Sequence, residues 1–300
     1  MKPDRGCAAT LAIIFAGVAW GIISIFIRKL SAGGLSLPEI VFTRMLFSAL
    51  FLGGYLVVFD REKFKIAWKD LWLFIGSGIV CLVGFKCCYF YTVIRGYAAV
   101  GGVLLYTSPA FIMLFSALLF REKITKSKLA ALLLTVSGGV LVSGIYNQQL
   151  SVPWGIVVSG VASGLLYGLY SIFGKIALRK YDTLTLVFYT FATGTAGCLL
   201  LGDLPHTLAV CCRQPDLLPY LIGCSVICTV LPYFMYTWGL NKTTAGRASI
   251  LVAVEPLICA VMGMAVYGED HHWLRICGVA AILSAIVLLN LPSATADNEG

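Results

Sequence analysis

Charge is scarce in this chain. Its 300 residues include 22 Lys and Arg and 14 Asp and Glu, so charged residues make up 12%, against about 25% in an ordinary soluble domain. A water-facing surface cannot be covered with so few. Long polar stretches are lacking too: outside the apolar runs none exceeds about 15 residues, which leaves no room for a soluble catalytic domain. Disorder-type composition is confined to the small polar residues from Ser293 to Gly300. Neither an H-E-x-x-H helix nor a G-x-x-x-x-G-K-[ST] phosphate loop occurs, so metalloprotease chemistry and direct ATP use are not expected. Histidine is limited to His206, His271 and His272. The pair His271-His272 follows Glu269-Asp270, which an exposed polar loop explains as well as a metal does. Eleven cysteines are present without a C-x-x-C, and the vicinal pairs Cys87-Cys88 and Cys211-Cys212 do not have zinc spacing. Most of the others fall in apolar runs, where cysteine acts as a small hydrophobe. No metal and no cofactor are expected.

What the chain has in excess is apolar sequence: 59% of residues, with a mean hydropathy of +0.91. Apolar runs fall near 9–30, 38–59, 71–94, 98–120, 129–146, 153–176, 183–202, 217–240, 244–267 and 272–291. Each is long enough to cross ~30 Å of hydrocarbon, and ten spans of ~20 residues leave about 100 for loops and tails. The expected fold is an all-α membrane protein with ten transmembrane helices in a lipid bilayer. The first run follows Lys2 and Arg5 like a signal peptide, but its length and its repeat partner mark it as a retained helix.

The net charge of +8 lies in short basic runs between the spans, which is a topology signal and not a nucleic-acid surface. Fifteen Lys and Arg fall on the side of the N-terminus and five on the other, with Arg44 and Lys86 inside spans. That imbalance places both termini in the cytoplasm, in the cytoplasmic (inner) membrane.

A shift of 147 residues aligns the two halves without a gap. Gly17 and Gly21 fall on Gly164 and Gly168, Trp20 on Tyr167, and Ser24-Ile25-Phe26 on Ser171-Ile172-Phe173. Tyr89 falls on Tyr236, Pro109 on Pro256 and Glu122 on Glu269. Matched Gly, Pro, Ser and Glu at one offset mark an internal repeat. Five helices per half is odd, so the halves enter the membrane from opposite sides. That is an inverted-topology repeat, which places a site near the midplane between the halves. The divisions are a tail at 1–8, repeats at 9–146 and 153–291, and a tail at 292–300.

From about residue 9 to 291 the chain resembles the EamA family of the drug/metabolite transporter superfamily. The resemblance rests on Ala19-Trp20-Gly21, on Pro109 followed by Arg121-Glu122, and on Glu255-Pro256 followed by Gly268-Glu269. It implies ten helices in two inverted five-helix repeats and transport of small metabolites, often export of amino acids or related compounds. Ser108 stands where the second half has Glu255, so the repeats are not functionally equivalent.

Polar residues inside the spans are the candidate site, because a charge at the bilayer centre is costly. Glu255 sits midway along helix 9 directly before Pro256. It either binds a substrate ammonium or carries a coupling proton, or it serves the kinked backbone. Lys86, deep in helix 3, either holds a substrate carboxylate or snorkels. Whether the two pair with each other stays open. Arg44, near the outer start of helix 2, reads as snorkelling. Trp20, Tyr89, Tyr167 and Tyr236 are candidates for cavity walls, with interfacial belts as the alternative. Tyr91, Tyr106, Tyr170, Tyr233 and Trp238 read as packing or belt residues. Pro109 and Pro256 predict kinks, and Gly17, Gly21, Gly164 and Gly168 predict close helix packing. Glu122 and Glu269 read as fold residues, and Arg247 as a topology charge or a weak gate.

The expected function is secondary transport, outward, of a small-molecule substrate such as an amino acid, with protons as the coupling ion if Glu255 titrates. The competing class is a polytopic membrane enzyme acting on a lipid or membrane peptide. The sequence carries no signal of oligomeric state.

Overall fold

The computed structural model describes residues 5–95, 98–145, 152–199, 202–267 and 272–290. Among these residues are nine helical segments long and apolar enough to span a membrane. They are α1 (Gly6–Ala32), α2 (Leu37–Phe59), α3 (Trp68–Arg95), α4 (Val100–Phe120), α5 (Lys126–Ser143), α6 (Trp154–Ala177), α8 (Pro215–Lys242), α9 (Ala245–Val266) and α10 (Trp273–Asn290). Between α6 and α8 lies α7 (Thr183–Cys198), a shorter apolar helix of 16 residues, which completes ten. A short helix, Leu204–Arg213, lies between α7 and α8. The described residues contain no strand. Both tails lie mostly outside the described residues, as do Lys2, Glu269 and His271.

Local sequence sets the helix ends. The Glu39 carboxylate accepts from the Ser36 amide at 2.7 Å and hydroxyl at 2.6 Å, closing a capping box at the start of α2. At the starts of α5, α7 and α9 the side-chain oxygens of Thr125, Asp182 and Thr244 accept from the amides of Lys128, Thr185 and Arg247. Gly144 ends α5 with a φ of 70°, the left-handed conformation glycine adopts without strain.

The helices pack as the 147-residue shift requires. α1 lies against α8 and α9, and its counterpart α6 lies against α3 and α4; α2 packs on α7, and α5 on α10. The outer surface is apolar, with Leu11, Leu50, Phe59, Leu118, Leu133, Val158 and Val287 exposed. A continuous apolar surface of that kind belongs in lipid. Trp68, Trp154 and Trp273 stand exposed at helix starts, where indoles anchor at the membrane interface.

Besides a single irregular turn at Ile22 within α1, four helices depart from regularity, in two equivalent pairs. α4 is interrupted between Leu105 and Ser108, and α9 between Leu251 and Val254. In each case a proline follows within three residues, and proline cannot donate to the carbonyl four residues earlier. That carbonyl on α9, Val252, accepts instead from the Glu255 amide at 3.0 Å. α3 contains a π-helical stretch at Gly76–Gly84 and α8 one at Val226–Val230, which wide turns of this kind often do beside functional sites.

Candidate functional site

The breaks in α4 and α9 come to lie beside the paired glycines. A Cβ on Gly17 would stand 2.8 Å from the Val252 carbonyl oxygen, and one on Gly21 3.0 Å from that of Glu255. On the other side of the repeat, a Cβ on Gly164 would stand 2.9 Å from the Leu104 carbonyl and one on Gly168 3.2 Å from that of Ser108. The glycines let α1 and α6 approach the broken helix of the opposite repeat, not one another. Glu255 is thereby fixed in the seam between the halves.

A cavity of about 410 Å³ opens in that seam. It is lined by the final part of α1 (Trp20, Ser24, Arg28), the start of α2 (Leu37, Val41, Arg44) and the end of α3 (Phe85, Lys86, Tyr89). The start of α4 adds Tyr106, α6 adds Tyr167, α8 adds Tyr233, and α9 adds Glu255 and Cys259. These positions run from mid-bundle to the end at which α1 finishes. The cavity is therefore one-sided.

Lys86 and Glu255 share this cavity without forming an ion pair. The Lys86 ammonium lies 4.3 Å from the Phe85 ring centroid, a cation–π contact. The Glu255 carboxylate has the Tyr167 hydroxyl at 3.5 Å, a long contact. Arg44 corrects its sequence reading. Instead of reaching towards the membrane surface it is 6% exposed, lines the cavity, and donates from Nε to the Thr229 hydroxyl at 3.0 Å. The signal for this was present: Leu37, Ile40, Val41 and Arg44 follow a helical i, i+3, i+4, i+7 stripe and all face the cavity. Tyr106 is likewise a wall of the cavity, and Tyr233, packed as its sequence reading has it, also presents a face to the cavity.

On the side where α1 begins, the equivalent space is filled. Tyr233 meets Trp20, Phe191 and Tyr170 edge-on with ring centroids 5.0–5.4 Å apart. Tyr236 does not line the large cavity; its hydroxyl lies 2.7 Å from that of Ser171. The Tyr170 hydroxyl lies 2.8 Å from that of Thr237. Only about 10 Å³ remains between these rings, roughly one water.

The remaining candidates sit elsewhere. Tyr91 faces outward, 48% exposed; the Lys242 ammonium stacks on Trp238 at 3.7 Å; and Arg247 donates to Asn290 at 2.7 Å. Glu122 accepts from the Ala245 amide at 3.0 Å, joining the end of α4 to the start of α9. His206 pairs with Glu39 at 2.6 Å between the short helix and α2. The described cysteines are all free thiols, and among the described residues no three of His, Cys, Asp and Glu come together as metal ligands.

Comparison with known proteins matches the same two halves. The model of the EamA-like transporter family matches residues 8–144 and again 154–291. An uncharacterized transporter of Archaeoglobus fulgidus is 27% identical over 92% of this chain and 94% of its own. The uncharacterized inner membrane transporter YicL of Salmonella typhimurium is 24% identical over 94% and 95%. A solved crystal structure superposes with a TM-score of 0.77 at 16% identity, covering 96% of this chain and 98% of the other, a likeness of fold.

Proposed function

Because the chain belongs to the EamA-like transporter family and is a multi-pass membrane transporter, we propose that it is a secondary transporter exporting a small organic metabolite. The substrate in this reading is an amino acid or a related compound. The membrane is the cytoplasmic one, with both termini inside, so the cavity faces outward.

One observation carries the mechanism: related residues of the two repeats enclose an open space on one side of the midplane and a closed one on the other. The cavity lies in the seam between the halves, where apolar packing is joined by a few polar bonds such as Arg44 to Thr229 and the Ala245 amide to Glu122. Rocking about that seam closes one side as the other opens. Trp20, Tyr89 and Tyr167 supply walls for an organic body, and Lys86 and Glu255, with Arg44 beside them, supply charged anchors in a mostly apolar space. Glu255 is also the coupling group, since one carboxylate cannot hold a proton and a substrate ammonium together. That exclusion is what exchange of one for the other requires.

The experiment is flux in proteoliposomes holding the purified protein, with a pool of labelled amino acids and metabolites, with and without a pH gradient. Saturable flux that grows with the gradient is the expected result. Saturable flux indifferent to the gradient removes proton coupling and leaves a facilitator, and absence of flux of every solute removes the transporter reading.

A further inference from the structure

The three charged side chains of the inner cavity do not balance one another. Arg44 and Lys86 are cations and Glu255 is the one acid facing them. Arg28, at the mouth, has a contact of its own and is not counted. The Arg44 guanidinium, 6% exposed, uses Nε on a neutral hydroxyl, and among the described residues no carboxylate stands within ion-pair distance of it or of Lys86. Its remaining N–H groups form a planar fork matched to a carboxylate or phosphate. Buried charges are retained when something pairs with them, and here the missing partner is an anion.

The repeat sharpens the argument. Arg44, Lys86 and Glu255 correspond at 147 residues to Phe191, Tyr233 and Ser108. None of the three charges has a charged counterpart, so none serves the symmetric scaffold. They were placed once, around one cavity, which is what a binding site needs and a fold does not.

Resting on the transporter reading, we infer that the substrate is an amino-acid-like solute bearing one further acidic group, with a net charge of −1. Its two anionic groups meet Arg44 and Lys86, its ammonium meets Glu255, and every charge in the cavity is then paired. A neutral amino acid leaves one cation unmatched, and a cationic one leaves two. The volume of about 410 Å³ exceeds the need of a small acidic amino acid and leaves room for a larger body against Trp20 and Tyr233.

The test uses the full chain in proteoliposomes, with labelled L-glutamate and γ-L-glutamyl-L-phenylalanine as anions, L-glutamine and L-phenylalanine as zwitterions, and L-lysine as a cation. At least one anion is expected to show saturable transport with a KM about tenfold or more below that of its zwitterionic match. Arg44→Gln and Lys86→Gln are each expected to raise the anion KM about tenfold or more and the zwitterion KM by less, since the single carboxylate of a zwitterion still meets the cation that remains. Arg44→Lys keeps the charge and recovers part of the loss, which separates binding from folding; each variant's thermal unfolding and elution profile are compared with wild type. Transport that favours zwitterions or cations overturns the inference while the transporter reading stands. Failure of all five solutes overturns this inference, and the transporter reading falls only if the wider metabolite pool fails as well.

Discussion

The hydroxyls of Ser171 and Tyr236 lie 2.7 Å apart in the closed half of the molecule, and the repeat carries those two residues onto Ser24 and Tyr89, which line the open half. No hydrogen bond joins Ser24 to Tyr89 in this structure. If the two states exchange the roles of the repeats, Ser24 and Tyr89 bond when the outer side closes, and Ser171 and Tyr236 part. Tyr236→Phe then destabilises the present state and Tyr89→Phe the opposite one. A single hydrogen bond is worth about 0.5–1.5 kcal/mol, so each variant shifts the population about two- to tenfold. Cys259, in the open cavity, reports the shift in a background with the other cysteines replaced. A membrane-impermeant maleimide added from the cavity side is expected to label it more slowly in Tyr236→Phe and no more slowly in Tyr89→Phe. Slowing by both substitutions would sink the idea.

The glycine seam makes a second prediction, on stability. Alanine at Gly17 or Gly164 puts a Cβ within 2.9 Å of a backbone carbonyl, and a backbone cannot swing aside as a side chain does. Overpacking of this kind costs about 1–3 kcal/mol, so both variants are expected to unfold at lower temperature in detergent. Gly54 and Gly155 have nothing within 4 Å of the added methyl, and alanine there is expected to leave Tm unchanged or slightly raised. Equal behaviour of the two sets would show that the close approach contributes nothing to stability.

These pairs also mark what was legible in the sequence. The repeat, the helix count and the breaks near Pro109 and Pro256 are written in residue types at a fixed offset. Lys86 and Glu255 stand out because a charge within an apolar run is conspicuous. Arg44 was misjudged because counting residues from the start of a span gives depth, not which face a side chain occupies. The fate of Tyr89 and Tyr236 was not legible at all. As repeat equivalents they look alike in sequence, and which of the two lies open depends on the state the molecule occupies. The π-helical stretches of α3 and α8 leave no mark in hydrophobic periodicity, since every residue within them is apolar or small.

Glu122 gives a third prediction. Its Oε1 accepts the Ala245 amide, the first donor of α9, at 3.0 Å, and its Oε2 lies 3.9 Å from the Lys128 ammonium. Hydrogen bonds to a charged acceptor are worth about 1.5–3 kcal/mol, so Glu122→Ala is expected to lose about that much. Glu122→Gln keeps an oxygen for the amide and loses only the charge, and is expected to lose less. Unfolding in detergent ranks the two, and an equal loss would mean that the charge, not the cap, carries the effect.

The sharpest prediction concerns Glu255. Pro256 frees the backbone beside it, Gly21 lets α1 close against its carbonyl, and the carboxylate faces Lys86 across the cavity without bonding to it. A purely structural acid would be tied to a donor of the fold, as Glu39 and Glu122 are; Glu255 has only the long contact to Tyr167. Glu255→Gln keeps the size and the contact but can neither gain nor lose a proton. Exchange of labelled for unlabelled substrate at equal pH is expected to persist with a raised KM, because the ammonium loses its counter-charge. Stimulation by an inward proton gradient is expected to vanish. The direction follows from the exchange itself: a proton taken up by Glu255 from the acidic outer side and released inside frees the carboxylate for the next ammonium, so acidifying the outside drives export in the wild type and has no effect in the variant. Gradient-stimulated flux in Glu255→Gln would assign the proton to another group and leave Glu255 a binding residue.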